Sequence, residues 1–515
     1  MVLLRFAPSP TGSLHLGGLR TALFNHLFAR KLGGQWLLRI EDTDATRFVP
    51  GSVEGIIGAL EWAGITPDHG PHVGGPHVPY FQSQRLDLYR SYADRLLSQG
   101  HAYRCFCSAD RISEMRAKLQ SLGSNSTYDR HCLSLTDEEV ARRVRTGEKS
   151  VVRLMDTAVP ARSSVQDMVF GAVKDVRTSL PTDTILLKSD LFPTYHLASV
   201  VDDHEMGITH VIRGEEWLPS LPLHLDLYAC LKLEPPTFGH LPLLLNADGS
   251  KMSKRAAGVH VSSFMVLPAA SFGTQALTFC QEQDYEPEAV LNWLFLLGLS
   301  TQPHDQELFT MPEMLQRFDI AAFSNHRSIL DRAKLLHLNG LHLQRKAQST
   351  PPNQLLQQRL LASITRQLPN ADAVDPGEAI KVLNVAGERV QMLDDLPSLV
   401  PFLFATPDYS TVEAQKLRKG IPDELYVGIC STISTHLKDV PSNVSQPAAE
   451  WWPPVLQTTK AELGASNKHV MATLRHALTG AQNGPPLLDI VELFGRDRAL
   501  ERLQKAQASA SESMG

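Results

Sequence analysis

The stretch from Arg5 to Gly18, RFAPSPTGSLHLGG, constrains the fold more than any other, because it joins a strand to a helix through a stiff turn. Leu3 to Ala7 is a short apolar run suited to a buried strand, Pro8 and Pro10 hold the exit extended, and Thr11-Gly12 turn it. From Leu16 the apolar positions Leu19, Leu23 and Leu27 recur at helical spacing, and Gly33-Gly34 stop the segment before a second strand, Gln35 to Ile40. His15 and Gly17-Gly18 therefore sit at a helix N-terminus beside the C-terminal end of a strand, where backbone N–H groups and the helix dipole favour a phosphate. The spacing is that of neither a P-loop nor a dinucleotide-binding glycine motif. Strand, turn and helix also occur in αβ units that bind nothing, so the remaining segments decide.

A chain of 515 residues predicts roughly three or four domains. The net charge of −6 argues against a surface coated in basic charge, though not against a local basic face. Six cysteines are too few and too irregular for a disulfide framework, which points to a reducing compartment. The densest apolar run, Leu291 to Leu299, is too short to span a membrane, and no membrane partner is expected. MVLLRFAP reaches the first strand at once, leaving no visible transit peptide.

The second strand leads into Glu41-Asp42-Thr43-Asp44, acidic residues on the ligand side of an open αβ sheet, although a solvated loop is the blander reading. Helical periodicity follows at Val53 to Ala63 and Gln84 to Gln99, around a Gly/Pro/His-rich loop from Thr66 to Pro79. Cys105, Cys107 and Cys132 could supply three zinc ligands, but His131 adjoins Cys132 and Ser134 stands two beyond it, so small buried thiols are the expectation and no metal. The αβ pattern resumes with a strand at Ile185 to Lys188, a helix opening at Tyr195-His196-Leu197-Ala198-Ser199, and a strand ending at Arg213 before Gly214-Glu215-Glu216-Trp217. A buried salt bridge explains Arg213 as well as a ligand does, but two arginines near one sheet edge, Arg5 and Arg213, suit a small anion with two carboxylates. Leu241 to Leu245 leads into the Lys/Arg-rich turn ending at Arg255, either a solvated basic loop or a mobile one closing Lys251 and Lys254 on a polyphosphate. From Glu288 onward helices follow almost without interruption, among them Ala289 to Leu297, Ser328 to Leu338, Leu425 to Leu437 and Pro486 to Phe494. A locally basic stretch around Arg327, Arg332, Lys334 and Arg345-Lys346 is either a solvated face or a phosphate-backbone contact.

Taken together, RFAPSPTGSLHLGGLRTAL, RIEDTD at Arg39 to Asp44, PTYHLASVVDDH at Pro193 to His204, HVIRGEEW at His210 to Trp217 and SKMSKR at Ser250 to Arg255 resemble a class I glutamyl-tRNA synthetase of the bacterial and organellar branch. LRHALTG at Leu474 to Gly480 extends the likeness toward the C-terminus. The resemblance implies an α/β fold: a Rossmann-like catalytic domain (1–80 and 185–260, the second half carrying the KMSKR loop) interrupted by an acceptor-stem-binding insertion (81–184). A stem-contact helical domain (261–340) follows, then an all-helical anticodon-binding region (341–505) and a disordered tail (506–515). About fifteen residues near Met265 to Phe279 exceed the family's spacing and read as an extra loop.

The implied activity is glutamate–tRNA ligation: glutamate attacks the α-phosphate of Mg-ATP, and the adenylate passes to the terminal adenosine of tRNA(Glu), activation normally waiting for bound tRNA. The resemblance makes His15, Lys251 and Lys254 the catalytic residues. It carries glutamate binding onto Arg5, Phe6, Ala7, Ser9, Glu41, Tyr195, His196, Leu197, Ala198, Ser199 and Arg213, and ATP binding onto Thr11, His15, Gly17, Gly18, Glu216, Lys251, Met252, Ser253, Lys254 and Arg255. ATP and Mg²⁺ enter as the substrate complex, and no structural zinc is expected. Gly18 replaces a second histidine, and Ser199 stands where asparagine is common. Charging of tRNA(Gln) as well is the alternative specificity, with Arg389 a weak candidate for reading the anticodon; a catalytically retired tRNA-binding protein is the other alternative. A monomer in the mitochondrial matrix is the expectation, with bacterial-type cytoplasm the alternative.

Overall fold

The computed structural model describes residues 1–173, 181–246, 248–250, 260–264, 284–299, 306–369, 374–440 and 447–512. The chain divides into two compact units, Met1–Arg332 and Ala333–Gly515.

The first unit opens as the sequence predicts, with β1 (Leu3–Phe6), α1 (Leu16–Lys31) and β2 (Gln35–Leu38), β1 and β2 running parallel with Leu3 opposite Gln35. The buried face of α1, Leu16, Leu19, Leu23 and Leu27, packs on these strands because the apolar positions fall on one stripe. Next come α2 (Ser52–Trp62), α3 (Leu86–Ser98), β3 (Ala102–Cys105), α4 (Ala109–Ser121), α5 (Asp137–Arg145) and β4 (Val151–Leu154). The short hairpin β5 (Gln166-Asp167) and β6 (Gly171-Ala172) precedes β7 (Ile185–Leu187), and β3-β4-β7 form an antiparallel sheet. The αβ grammar then returns with α6 (Tyr195–Glu205), β8 (His210–Gly214), α7 (Leu221–Leu231) and β9 (Thr237–Leu241).

β8 and β9 pair in parallel, and Thr209 lays this pair beside β1: its N–H donates to Leu3 O at 2.9 Å, and Leu3 N–H donates to its Oγ1 at 2.9 Å. The C-terminal ends of β1, β8 and β9 thus open toward one side, where ligands of parallel αβ sheets are bound. β10 (Leu244-Leu245), α8 (Pro287–Leu296), α9 (Met311–Arg317) and β11 (Ser328-Ile329) complete the described part of the unit.

The helix expected over Ser328 to Leu338 is a correction. Ser328-Ile329 pairs in parallel with β10, and the helix begins only at Arg332, running to Ala347. Leu330 N–H donates to Leu245 O at 3.0 Å, a long-range bond that the local pattern could not reveal.

The second unit is helical throughout its described residues, with helices at Gln354–Gln367, Pro376–Ala386, Val412–Arg418, Asp423–Asp439, Ala448–Leu463, Asn467–Thr479 and Leu487–Glu512 among them. Its core gathers Leu360, Leu383, Tyr426, Ile433, Leu474 and Ile490. The last helix corrects the expected disordered tail: it bends at Gly495 and continues to Glu512, because Ala506 and Ala510, one turn apart, are buried in that core. The expected extra loop near 265–279 lies outside the described residues.

Candidate active site

A cavity of about 700 Å³ lies at the open ends of β1, β8 and β9. Its wall includes Arg5, Phe6, Ala7 and Ser9 from the first strand and its exit, Thr11, His15, Gly17 and Gly18 from the turn, Glu41 after β2, and Tyr195, Arg213 and Glu216. These residues, scattered over two hundred positions, meet because parallel strands deliver their C-terminal ends to one edge.

His15 is the N-cap of α1. Its Nδ1 accepts the N–H of Gly18 at 3.1 Å, which makes Nδ1 the lone-pair nitrogen and leaves the proton of the neutral ring on Nε2. A Cβ at Gly18 would lie 2.6 Å from Leu14 Cδ1, so a side chain there would require Leu14 to move. His260 also lines the cavity and bridges to His15 through the backbone. The KMSKR residues Lys251, Met252, Ser253, Lys254 and Arg255 lie outside the described residues; Leu244 and His260, which flank them in sequence, both line the cavity.

The two arginines at the sheet edge are held in opposite ways. Arg5 Nε lies 3.1 Å from Asp203, and Arg39 Nη1 lies 2.7 Å from the same carboxylate while its Nη2 lies 3.2 Å from Glu41. Asp202 is held by Arg85 at 2.7 Å, Gln82 at 2.9 Å and Tyr89 at 2.8 Å. Arg5, Arg39 and Arg85 therefore balance Asp202, Asp203 and Glu41. Arg213, by contrast, donates only to neutral acceptors: from Nε to His240 Nε2 at 2.9 Å, from Nη1 to the Tyr195 hydroxyl at 3.1 Å and His224 Nδ1 at 3.3 Å, and from Nη2 to Trp217 O at 3.3 Å. Among the described residues no carboxylate lies within ion-pair distance of it, although its residue is only 4% exposed. The salt bridge that would have explained Arg213 without a ligand belongs to Arg5. A buried guanidinium with no counter-ion suits an incoming carboxylate.

Burial raises the pKa of Glu41, against the pull of Arg39 and Arg5. Burial lowers that of His196 to about 4 and that of His224 further below its ordinary value, Arg213 adding to both. His224 accepts from Arg213 at Nδ1, so its Nε2 carries the proton and donates to His196 Nδ1 at 3.1 Å.

Some expected glutamate contacts are not among the lining residues. Leu197, Ala198 and Ser199 are fully buried, the first two in the hydrophobic core, because α6 is enclosed on all sides from Leu197 to Asp203. The Ser199 hydroxyl has no hydrogen-bond partner. His196 reaches Arg213 only through His224. Residue-level reading of the sequence passed over Arg39, Asp202, Asp203, His224 and His240. One signal was present: His224 and Asp226 interrupt LPLHLDLYACL, an otherwise apolar helix, and both are buried.

The family described as class I tRNA synthetases (E and Q), catalytic domain, matches residues 1–337, and the anticodon binding domain family matches residues 354–507. The chain is 38% identical to the glutamate–tRNA ligase of Rhizobium meliloti (strain 1021), covering 98% of this chain and 96% of that one. It is 37% identical to the glutamate–tRNA ligase of Thermus thermophilus over 99% of this chain and all of the relative. Among solved structures, a glutamate tRNA ligase from Elizabethkingia meningosepticum in complex with its amino acid matches with a TM-score of 0.80, 33% identity and 99% of both chains covered.

A second cluster lies away from the cavity, in the segment between α3 and β4. Cys105, Cys107 and Cys132 bring their sulfur atoms within 4.8 Å of one another, Cys107 and Cys132 at 3.5 Å. A tetrahedral zinc thiolate site needs sulfur separations of about 3.8 Å. Ser134, whose side chain was the missing fourth ligand, turns away and donates to His131 O at 2.8 Å. Tyr128 supplies a hydroxyl instead, 3.4 Å from Cys105 and 3.5 Å from Cys107. Cys132, with Tyr128 and Arg153, pulls the Cys105 pKa down to about 4, while Cys105 and burial push that of Cys132 up. The three thiols and the Tyr128 hydroxyl could hold a zinc ion, so the expectation of no metal is open to a direct test. Incubated with zinc alone and then desalted, the purified chain is expected to retain about one equivalent by elemental analysis. Cys132→Ser is expected to retain none, and a wild-type chain that retains none would leave the trio as buried thiols.

Proposed function

The chain belongs to the glutamate–tRNA ligases, the E and Q class I aminoacyl-tRNA synthetases, and on that premise we propose how its cavity divides the reaction. The enzyme joins glutamate to tRNA at the expense of ATP. Two substrates must therefore meet in line, the glutamate α-carboxylate and the ATP α-phosphate, before the adenylate is attacked by a terminal-adenosine hydroxyl of tRNA. Bond making needs little from a base, because a carboxylate is already a nucleophile at neutral pH. The contribution of the protein is positioning and charge stabilisation.

Glutamate is assigned to the strand ends. Arg213 takes the side-chain carboxylate, Arg5 contributes the N–H groups that Asp203 leaves over, Tyr195 closes one side, and the Glu41 carboxylate takes the α-ammonium. The observation that carries this reading is the buried Arg213 guanidinium surrounded by neutral acceptors alone. Mg-ATP is assigned to the turn and the start of α1, where Gly17 and Gly18 allow close approach and His15 presents an Nε2 donor. Glu216 is assigned to the ribose or base side of the nucleotide. Lys251 and Lys254 are assigned to the departing pyrophosphate; the cavity-lining residues Leu244 and His260 on either side of them in the chain support this.

The helical second unit is assigned to the anticodon. Its exposed Arg389 lies close enough to Arg475 to help lower the latter's pKa, after burial, and the pair forms a local cationic spot. Charging of tRNA(Gln) remains the second specificity of this reading. Relatives of the chain are bacterial, which supports a cytoplasmic enzyme of bacterial type; the mitochondrial matrix gains no support from them. A monomer is the proposed working state.

Two measurements test the division. Glutamate is expected to support ATP–pyrophosphate exchange in the presence of tRNA(Glu), whereas glutamine is expected to support none; exchange driven by glutamine would remove Arg213 from its assigned role. Only the ionised form of Glu41 attracts an ammonium, and its pKa is raised, so the KM for glutamate is expected to climb as the pH falls through that value. Glu41→Gln is expected to raise this KM about 10- to 100-fold and to flatten its pH dependence.

A further inference from the structure

Asp167 and His240 have no part in the roles above, yet they stand in line behind Arg213. Asp167 lies in the β5–β6 hairpin, which is fastened to β9 by Met168 N–H donating to Phe238 O at 2.8 Å. Its Oδ1 accepts the N–H groups of Val169 and Phe170 at 2.9 Å each and that of His240 at 3.3 Å. Its Oδ2 lies 2.6 Å from His240 Nδ1. On the other side of the same ring, His240 Nε2 lies 2.9 Å from Arg213 Nε. Arginine only donates, so Nε2 must be the lone-pair nitrogen and Nδ1 must carry the proton that Asp167 accepts. The ring is fully buried, and its charged neighbours are Asp167, Arg213 and, farther off, Arg5.

We propose that Asp167 and His240 are positioning residues for glutamate: Asp167 fixes the one ring tautomer in which His240 accepts from Arg213, and so fixes the guanidinium that meets the substrate carboxylate. The inference rests on the assignment of Arg213 to glutamate. Burial, with Arg213 adding to it, keeps the His240 pKa down at about 4, so the ring is neutral at working pH and the choice is between tautomers, not charge states.

The arrangement makes an unusual demand on an isosteric substitution. In Asp167→Asn the amide oxygen stays at the Oδ1 position, since three backbone N–H groups point there. The NH₂ group then faces His240 Nδ1, which must give up its proton to accept. The proton moves to Nε2 and meets the N–H of Arg213 Nε, so two donors oppose each other and the guanidinium shifts. Gln at position 240, by contrast, offers an amide oxygen to Arg213 without help from Asp167.

The test is the steady-state aminoacylation of tRNA(Glu) by the full-length enzyme, with KM values for glutamate and ATP measured separately. Asp167→Asn is expected to raise the glutamate KM at least about tenfold, with kcat and the ATP KM within about threefold of wild type. His240→Gln is expected to be milder, and adding Asp167→Asn to it is expected to change the glutamate KM by less than about twofold, since no ring remains to be turned. Equal losses for glutamate and ATP would make Asp167 a general structural residue and overturn the proposal. A normal glutamate KM in Asp167→Asn would overturn it as well. Arg213→Lys separates the two levels: a raised glutamate KM there with a normal one in Asp167→Asn refutes the positioning alone, whereas a normal KM in Arg213→Lys refutes the underlying assignment.

Discussion

A guanidinium buried without a counter-ion among the described residues is the constraint on which the site depends. Removing a charge from water is costly unless something replaces the lost solvation, and Arg213 is 4% exposed with every observed partner neutral. Four hydrogen bonds supply part of that solvation and hold the group in one plane. They do not cancel its charge. In the proposed assignment a substrate carboxylate supplies the missing half, and glutamine, with a neutral side chain, supplies less of it.

The neighbouring charges explain why Arg213 and not Arg5 is left in this state. Asp203 is shared by Arg5 and Arg39, Asp202 by Arg85 with help from Tyr89 and Gln82, and Glu41 is bonded by Arg39. This network ties α6 to the first two strands, so it also sets the spacing of the cavity walls. Glu41 and Arg5 are the members that line the cavity, while Arg39, Arg85, Asp202 and Asp203 are not part of its wall. At the opposite side His15 caps α1 through Gly18, and the same bond that secures the helix start directs the ring's proton to Nε2. One side chain thus secures the helix start and presents an N–H donor to the cavity.

Much of this was legible in the residues. The strand–turn–helix at Arg5 to Gly18 and the helical character of the C-terminal part follow from apolar spacing and turn residues, and the motifs in their order point to the family and, through it, to most of the cavity wall. What escaped was whatever depends on contacts between distant segments. Ser328-Ile329 is a strand only because β10 lies beside it, and the end of the chain is helical because Ala506 and Ala510 find a core to enter. Tyr195 to Ser199 read as one binding stretch, yet of these residues the cavity wall takes Tyr195, while Leu197, Ala198 and Ser199 are enclosed with the body of α6. Ser134 offered the three thiols no fourth donor in the sequence, and only folding brings the Tyr128 hydroxyl to Cys105 and Cys107. His240 carries no local mark at all; its role comes from Asp167, seventy-three positions away in the chain.

The central claim, that the uncompensated charge of Arg213 selects a carboxylate, is tested most directly by the ratio of kcat/KM for glutamate to that for glutamine in Arg213→Gln compared with wild type. Loss of the charge with the hydrogen-bonding amide retained is expected to lower that ratio at least about a hundredfold. A ratio unchanged within about threefold, in an enzyme that still forms adenylate, would contradict the account.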